Sequence, residues 1–281
     1  MDVLLGVDLG GKGSGRQRYA VAMALYQSGE LNAEQLDAYR LAAASDVEPP
    51  NQTLEDCGLT IANPQFAERA IRQFIGQADL YLAGLSCSGL GEVRRGIKQF
   101  GDGAGTFGHA VPNAVVEAHL PVALRALATS HPHLANAISA ASPYLNWITY
   151  DGYDADEIGA AFAKGHAYVS VIGEDAVIPA RDFDFGLFLI APHVLYRDHN
   201  HPAPELYAPL TGPHGWRFGP DAPLQILPAH KPVWNDPYQP HLTKVGPLPF
   251  LCVFSWTRDV QGRAEVIPAK DWPELEAMRL G

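Results

Sequence analysis

The sequence predicts a mainly β protein that carries an α-helical N-terminal region. Residues up to about 145 show helix-start signals and apolar residues at helical spacing, whereas short β-rich runs follow Trp147, separated by Gly, Pro, Asp and Asn. Several short strands at turn-punctuated spacing are typical of a single β-barrel or jelly roll. We therefore divide the chain into a mostly helical region, 1–145, and a barrel domain, 146–281.

The composition restricts the classes of function. The chain has 281 residues, of which 47% are apolar and 18% charged, and this balance is typical of a globular protein. A net charge of −11 argues against a nucleic-acid partner, because duplex binders need a basic face. No apolar run is long enough to cross a bilayer, and the first residues do not resemble a secretory signal. The three dispersed cysteines predict no disulfide framework and fit a cytoplasmic protein.

Several helices are predicted before the barrel. Asn32 with Gln35 forms a capping-box pattern for a helix that runs through Ala44. Asn63-Pro64 is a second helix start, because proline is well tolerated at the first helical position. An apolar stripe at helical spacing follows it: Phe66, Ala70, Ile71, Phe74 and Ile75. The glycine-rich segment 84–108 is predicted to be mostly loop, and further helices are expected over 113–128, with a kink at Pro121, and over 134–141.

The predicted strands follow from β-rich runs bounded by turn residues. They cover 167–172, 185–191, 206–210, 224–227 and 250–256. A high proline content between 202 and 249 argues against helix in that segment.

The candidate chemistry lies in the run His199-x-His201-x3-Glu205-x-Tyr207. Side chains at i and i+2 of a strand share a face, so His199 and His201 point the same way, and Tyr207 shares the face of Glu205. Two adjacent strands would thus bring two imidazoles, a carboxylate and a phenol around one point. Imidazole and carboxylate together suit a first-row divalent metal with open coordination sites.

A further histidine from later in the chain would complete the metal site. His241 is the first candidate and His230 the competitor. His193, His214 and His230 are otherwise interpreted as structural or surface groups.

The run from His199 to Tyr207 resembles the first motif of the cupins, in which histidines and a glutamate bind a metal inside a small β-barrel. A wider set of residues resembles the cupin dimethylsulfoniopropionate lyases and their lyase-like relatives, over about residues 110 to 260. This set comprises Asp184-Phe-Gly-Leu-Phe-Leu-Ile-Ala-Pro192, Tyr196, Glu205-Leu-Tyr207, Gly212, Trp216, Pro240-His241, Thr243 and Pro249-Phe-Leu-Cys-Val-Phe-Ser-Trp256. The usual glycine-rich second motif is replaced here by 228–240.

The resemblance implies a metal-dependent carbon–sulfur lyase that releases dimethyl sulfide and acrylate from a small zwitterionic substrate. It implies one divalent transition metal (Zn, Fe, Mn, Ni or Co) held by His199, His201, Glu205 and His241. Tyr207 would be the catalytic base and Tyr196 a second catalytic polar group, while His199 could instead orient the substrate. Cupins often dimerise, so the resemblance also allows a homodimer.

Two other functions remain open at this stage. An isomerase or epimerase acting on a sugar or hydroxy acid would use the same proton abstraction, and a non-catalytic cupin would bind a small metabolite. Tyr207 distinguishes the non-catalytic cupin from the enzymes, because a binding module needs no phenol beside its metal. The segments Gly6–Gly13, which resembles a phosphate-binding loop, and Gly84–Gly89, which resembles a nucleophile elbow, are interpreted as a loop and a turn. Trp216, Trp234 and Trp256 are candidates for lining the pocket.

Overall fold

The computed structural model describes residues 12–29, 31–47, 53–54, 57, 64–107, 110–150 and 152–280. Its helices are α1 (Ser14–Gln27), α2 (Ala33–Ala42), α3 (Pro64–Ala83), α4 (Leu90–Phe100), α5 (Ala114–Ala128), α6 (Pro132–Ala141), α7 (Ala155–Ile158), α8 (Ala160–Lys164) and α9 (Trp272–Ala277). Within the part of the chain thus described, no helix is long and apolar enough to cross a membrane.

The strands form two sheets that face each other as a barrel. In chain order they are β1 (His166–Gly173), β2 (Ile178–Pro179), β3 (Asp184–Ile190), β4 (Leu195–Asn200), β5 (Glu205–Pro209), β6 (His214–Arg217), β7 (Gln225–Leu227), β8 (Val233–Asn235), β9 (His241–Lys244), β10 (Phe250–Trp256) and β11 (Glu265–Val266). The six-stranded sheet has the order β2-β1-β3-β10-β5-β8, and the five-stranded sheet has the order β11-β4-β9-β6-β7. The predicted mainly β fold with a helical N-terminal region and a single cupin barrel is confirmed.

Alternation along β10 shows how the six-stranded sheet divides two cores. Leu251 and Val253 pack with α3, α5 and α6 in one apolar cluster, whereas Cys252 and Phe254 belong to the cluster inside the barrel. A strand of this kind has no solvent face, and its residues from Phe250 to Phe254 accordingly form a continuous apolar run. The sheet is therefore a wall between the helices and the barrel interior.

The capping box at Asn32 is confirmed. The Asn32 side chain accepts a hydrogen bond from the Gln35 N–H at 2.9 Å, and the Gln35 side chain accepts one from the Asn32 N–H at 2.8 Å. The helix ends at Ala42. A second helix begins at Pro64, as predicted, although Asn63 lies outside the described residues.

The prediction of a loop over 84–108 is wrong for its central part, where α4 lies. Leu90, Val93 and Ile97 form a buried stripe on α4, and this burial outweighs the low helix propensity of Gly91 and Gly96. Gly96 lies against the ring of Phe183, so a side chain there would collide with the barrel. The turn interpretation of Gly84–Gly89 agrees with the irregular backbone after Gly84.

The first segment of the chain also contains more helix than the sequence indicates. The loop expected over Gly6–Gly13 lies mostly outside the described residues, but α1 begins directly after it at Ser14. Asp46 accepts hydrogen bonds from the N–H groups of Gly13 and Gly15 at 2.9 and 2.7 Å. The division of the chain at residue 145 stays a prediction.

Candidate metal centre and substrate cavity

Three buried histidines converge inside the barrel. His199 on β4 is directly opposite His241 on β9, and His201 is the first residue beyond the adjoining end of β4. One ring nitrogen from each of the three lies within 4.8 Å of the other two. The structure therefore brings together His199, His201 and His241, and it leaves the competitor His230 elsewhere.

Backbone carbonyl groups fix the tautomer of each histidine. Each Nδ1 lies 2.8 Å from a backbone carbonyl oxygen; the acceptors are Arg197 for His199, Ala203 for His201 and Gln239 for His241. A carbonyl oxygen can only accept, so each Nδ1 carries a proton and donates it. In the neutral rings the three Nε2 atoms are then left with lone pairs, which is the state in which imidazole binds a metal.

Glu205 supplies a carboxylate to the same point. Its Oε2 lies 3.1 Å from His201 Nε2 and 3.4 Å from His241 Nε2. The Asn235 side-chain amide donates to Oε2 at 3.2 Å, and Trp256 Nε1 donates to Oε1 at 2.8 Å. Burial alone would raise the pKa of Glu205, but the neighbouring His201 and His241 rings lower it below its usual range. The group is therefore a carboxylate at neutral pH.

The donor set fits a divalent transition metal. His199 Nε2 and His241 Nε2 are buried and have no hydrogen-bond partner among the described residues. Burial, followed by the neighbouring His241 and His201, holds the pKa of His199 well below its ordinary value, so its imidazole stays neutral. Buried acceptors of this kind are costly when left unpaired, and a cation among them would satisfy all three rings and the carboxylate.

The two strands of the motif are arranged differently from the prediction. The sequence predicts adjacent strands for His199 and Glu205, but β4 belongs to the five-stranded sheet and β5 to the six-stranded sheet. The two prolines between His201 and Glu205 let the chain cross from one sheet to the other, so the carboxylate faces the histidines across the barrel. His241 is the first residue of β9, a strand that the sequence did not predict.

Tyr207 and Tyr196 lie beside this cluster. The ring of Tyr207 is buried, and its centroid lies 6.1 Å from that of His241. Burial and then the Glu205 carboxylate raise the pKa of the Tyr207 phenol well above its usual value. Tyr196 stacks on His199 at 3.9 Å between centroids, and its hydroxyl lies 2.8 Å from that of Tyr153. Both tyrosines predicted as catalytic thus lie at the cluster.

A cavity of about 290 Å³ opens onto these side chains. Half of its lining residues are aromatic, and its polar lining includes two carboxylates, Asp184 and Glu205, and one guanidinium, Arg263. The aromatic lining residues are Tyr150, Tyr153, Phe162, Tyr168, Phe188, Tyr196, Tyr207, Phe254 and Trp256. Such a chamber suits a small ligand that carries both an apolar or cationic part and an anionic part.

Of the other tryptophans and histidines that the sequence analysis considered, one lines the cavity and the rest lie outside it. Trp256 lines the cavity and stacks on His201 at 4.5 Å, whereas Trp216 is buried against Phe250 and Trp234 packs against the helices. His214 is buried and hydrogen-bonded outside the site, and His230 contacts Tyr81 and Ser130.

The sequence did not single out Tyr153, Asn235 or Asp184 as site residues. Asp184 could have been identified from the sequence. It is the first of the alternating β3 residues, with Gly186 and Phe188, that face the barrel interior. Tyr153 and Asn235 reach the site from segments with no local pattern that points to it.

Comparisons with known proteins agree with one another. Residues 108–252 match the family model of dimethylsulfoniopropionate lyase. Over 149 residues the chain is 27% identical to dimethylsulfoniopropionate lyase DddQ of Ruegeria pomeroyi, which covers 53% of this chain and 70% of that protein. The crystal structure of DddQ from that organism superposes with a TM-score of 0.51 at 21% identity, covering 70% of this chain and 96% of that one. A structure from a study of the lyases RdDddP and RnDddQII gives a TM-score of 0.57 at 16% identity, covering 72% of this chain and all of the other.

Proposed function

The chain belongs to the dimethylsulfoniopropionate lyase family, and from this premise we propose that it cleaves dimethylsulfoniopropionate to dimethyl sulfide and acrylate in a metal-dependent β-elimination. The observation that carries the proposal is the position of Tyr207, a buried phenol beside three histidines and a carboxylate at the wall of an aromatic cavity. The substrate is a small zwitterion, with a carboxylate at one end and a sulfonium at the other.

His199, His201, His241 and Glu205 would hold the metal. When bound, a divalent metal supplies Lewis-acid stabilisation of negative charge that develops on the substrate carboxylate and favours the phenolate form of a nearby tyrosine. The hydrogen bonds from the histidine Nδ1 atoms to backbone carbonyls keep the donors in place before the ion arrives, because they restrict the rotation of each ring.

Tyr207 would act as the base. Its phenolate oxygen takes the proton from the carbon next to the substrate carboxylate, the electrons of that C–H bond form the new C=C bond, and the C–S bond breaks to release dimethyl sulfide. The pKa of this phenol is raised in the protein alone, so Tyr207 is an effective base only once positive charge lies beside it. The aromatic wall would exclude water and place electron-rich ring faces near the sulfonium.

Tyr196 would position the reacting end of the substrate. Its ring is sandwiched between Phe162, at 3.9 Å, and His199, also at 3.9 Å between centroids, so the hydroxyl has a fixed direction. The Tyr153 hydroxyl at 2.8 Å can exchange a hydrogen bond with it. A fixed hydroxyl at the cavity wall can orient a carboxylate without large entropic cost.

The test is to load the purified protein with Zn²⁺, Fe²⁺, Mn²⁺, Ni²⁺ or Co²⁺ in turn and to measure dimethyl sulfide in the headspace and acrylate in solution. We expect the two products in equal amounts with at least one of these ions, and none after chelation. Absence of both products with every ion would contradict the proposal and favour an isomerase or a binding protein. A cytoplasmic location and a homodimer remain part of the proposal; light scattering of the purified protein tests the dimer.

A further inference from the structure

Four residues at one end of the six-stranded sheet form a row across neighbouring strands. Asp184 on β3 is directly opposite Trp256 on β10, Trp256 is opposite Glu205 on β5, and Glu205 is opposite Asn235 on β8. Directly opposed residues of antiparallel strands point to the same face. Asp184 therefore shares the barrel interior with Glu205, two strands or about 10 Å along the sheet.

The carboxyl group of Asp184 lies in an environment that disfavours a lone negative charge. Its Oδ2 accepts a hydrogen bond from the Ser170 hydroxyl at 3.0 Å, while Oδ1 is buried and has no hydrogen-bond partner among the described residues. Burial is the main cause that raises its pKa to about 6; hydrogen bonding from Ser170 and from the Phe185 backbone opposes this effect, and the charge of Glu205 adds to it. At pH 8 the group is ionised, and its charge is only partly compensated.

No cation of the described chain neutralises Asp184. The salt bridges of the described residues do not include it, and the guanidinium in the cavity wall, that of Arg263, belongs to an exposed residue that forms no ion pair with it. A partly buried carboxylate without a counter-charge is unfavourable, so a cationic ligand would gain free energy from it. The aromatic wall of the cavity would accept the apolar groups around such a cation.

We propose that Asp184 is the residue that selects a cationic group at the far end of the substrate, by providing its counter-charge at the cavity wall. This inference rests on the proposed function for the identity of the substrate. The polarity of the cavity then matches a zwitterion: the imidazoles and the metal they would hold face the anionic end, and Asp184 faces the cationic end. Trp256 is paired with Asp184 on one side and with Glu205 on the other, so it lies between the two carboxylates in the row.

Binding of two isosteric probes to the metal-loaded protein separates charge from shape. The first is 3-(trimethylammonio)propionate, a zwitterion, and the second is 4,4-dimethylpentanoate, in which a carbon replaces the ammonium nitrogen. Calorimetry at pH 8 should show tighter binding of the zwitterion to the wild type. Asp184→Asn keeps the shape of the side chain and an acceptor for Ser170. It should weaken binding of the zwitterion by about tenfold and leave binding of 4,4-dimethylpentanoate, which lacks the cationic group, nearly unchanged.

The control is Asp175→Asn, which changes the net charge equally on an exposed turn. It should leave the preference for the zwitterion as in the wild type. An equal loss for both probes in Asp184→Asn, an unchanged preference, or a preference reduced as strongly in Asp175→Asn would overturn the proposal. If the Asp184→Asn protein does not fold, Asp184→Ser serves as the second variant.

The wild type alone also tests the inference, because equal binding of the two probes, or binding of neither, contradicts it. Failure of the proposed lyase activity would appear differently, as no dimethyl sulfide from the natural zwitterion, while the preference between the two unreactive probes would still be measured.

Discussion

His199 and His241 lie directly opposite each other on β4 and β9, with ring centroids 4.1 Å apart. Each ring donates through Nδ1 to a carbonyl two residues earlier in its own chain segment, and each Nε2 is buried and has no hydrogen-bond partner in the part of the chain that the structure describes. Two buried acceptors this close together are unfavourable when both are left unpaired. Their geometry is that of a pair of ligands prepared for a cation.

The first prediction concerns metal content. We expect the wild type, purified under metal-supplemented conditions, to retain about one transition-metal ion per chain, and His241→Ala to lose most of it, because the variant removes one of three converging imidazoles. Elemental analysis by plasma mass spectrometry measures this. His133→Ala is the matched control, since it removes an exposed imidazole on α6 and should leave the metal content unchanged. Equal metal content in the wild type and His241→Ala would show that the ion is held elsewhere.

The local part of this site could be predicted from the sequence, and its long-range part could not. Strand periodicity relates His199 to His201 and Glu205 to Tyr207, because side chains at i and i+2 share a face. That β4 and β5 belong to opposite sheets depends on the crossing of the chain at the prolines after His201, which periodicity does not describe. The alignment of Asp184 with Glu205 is set by the register of β3, β10 and β5, strands far apart in the sequence.

The second prediction concerns Tyr207→Phe. Removing the phenolic oxygen should lower kcat by about 10²–10⁴-fold, the usual contribution of a general base, and leave metal content and KM close to those of the wild type. The comparison variant is Tyr153→Phe, which removes only the hydroxyl that contacts Tyr196 and should have a smaller effect. Steady-state release of dimethyl sulfide provides both constants. Wild-type kcat in Tyr207→Phe would exclude this phenol as the base.

The third prediction concerns the packing of α4 on the barrel. Gly→Ala inside a helix normally stabilises a protein by about 1 kcal/mol, but at Gly96 a methyl group would overlap the buried ring of Phe183. We therefore expect Gly96→Ala to lower the free energy of unfolding by about 1–3 kcal/mol, the usual cost of overpacking.

Gly91→Ala on the same helix is the matched control for packing. The nearest atom to its added methyl group is the flexible end of the Arg95 side chain at 3.5 Å, and the residue is exposed. Gly91→Ala should therefore raise the free energy of unfolding, as Gly→Ala normally does inside a helix. Urea denaturation of the two variants measures the contrast, and stabilisation of both would mean that α4 does not pack on Phe183 as described.

The fourth prediction concerns stability against acid through His214, which is 1% exposed. Its Nδ1 accepts a hydrogen bond from the Gly246 N–H at 3.1 Å, and its Nε2 lies 3.3 Å from the Thr211 hydroxyl, which itself donates to the Pro249 carbonyl. The ring is therefore held neutral, and burial lowers its pKa from 6.5 to about 4. The unfolded chain therefore binds this proton at a higher pH than the folded protein does.

The sign of the pH effect follows from that order. Above pH 6.5 the ring is neutral in both states; between pH 6.5 and about 4 only the unfolded chain is protonated, so His214 lowers the stability of the fold progressively, by on the order of 3 kcal/mol in total. His214→Asn keeps an acceptor for Gly246 and cannot titrate. It should be less stable than the wild type at pH 8, and the difference should shrink as the pH falls through this window. Urea denaturation across that range measures it, and parallel stability curves for the two proteins would show that His214 titrates normally.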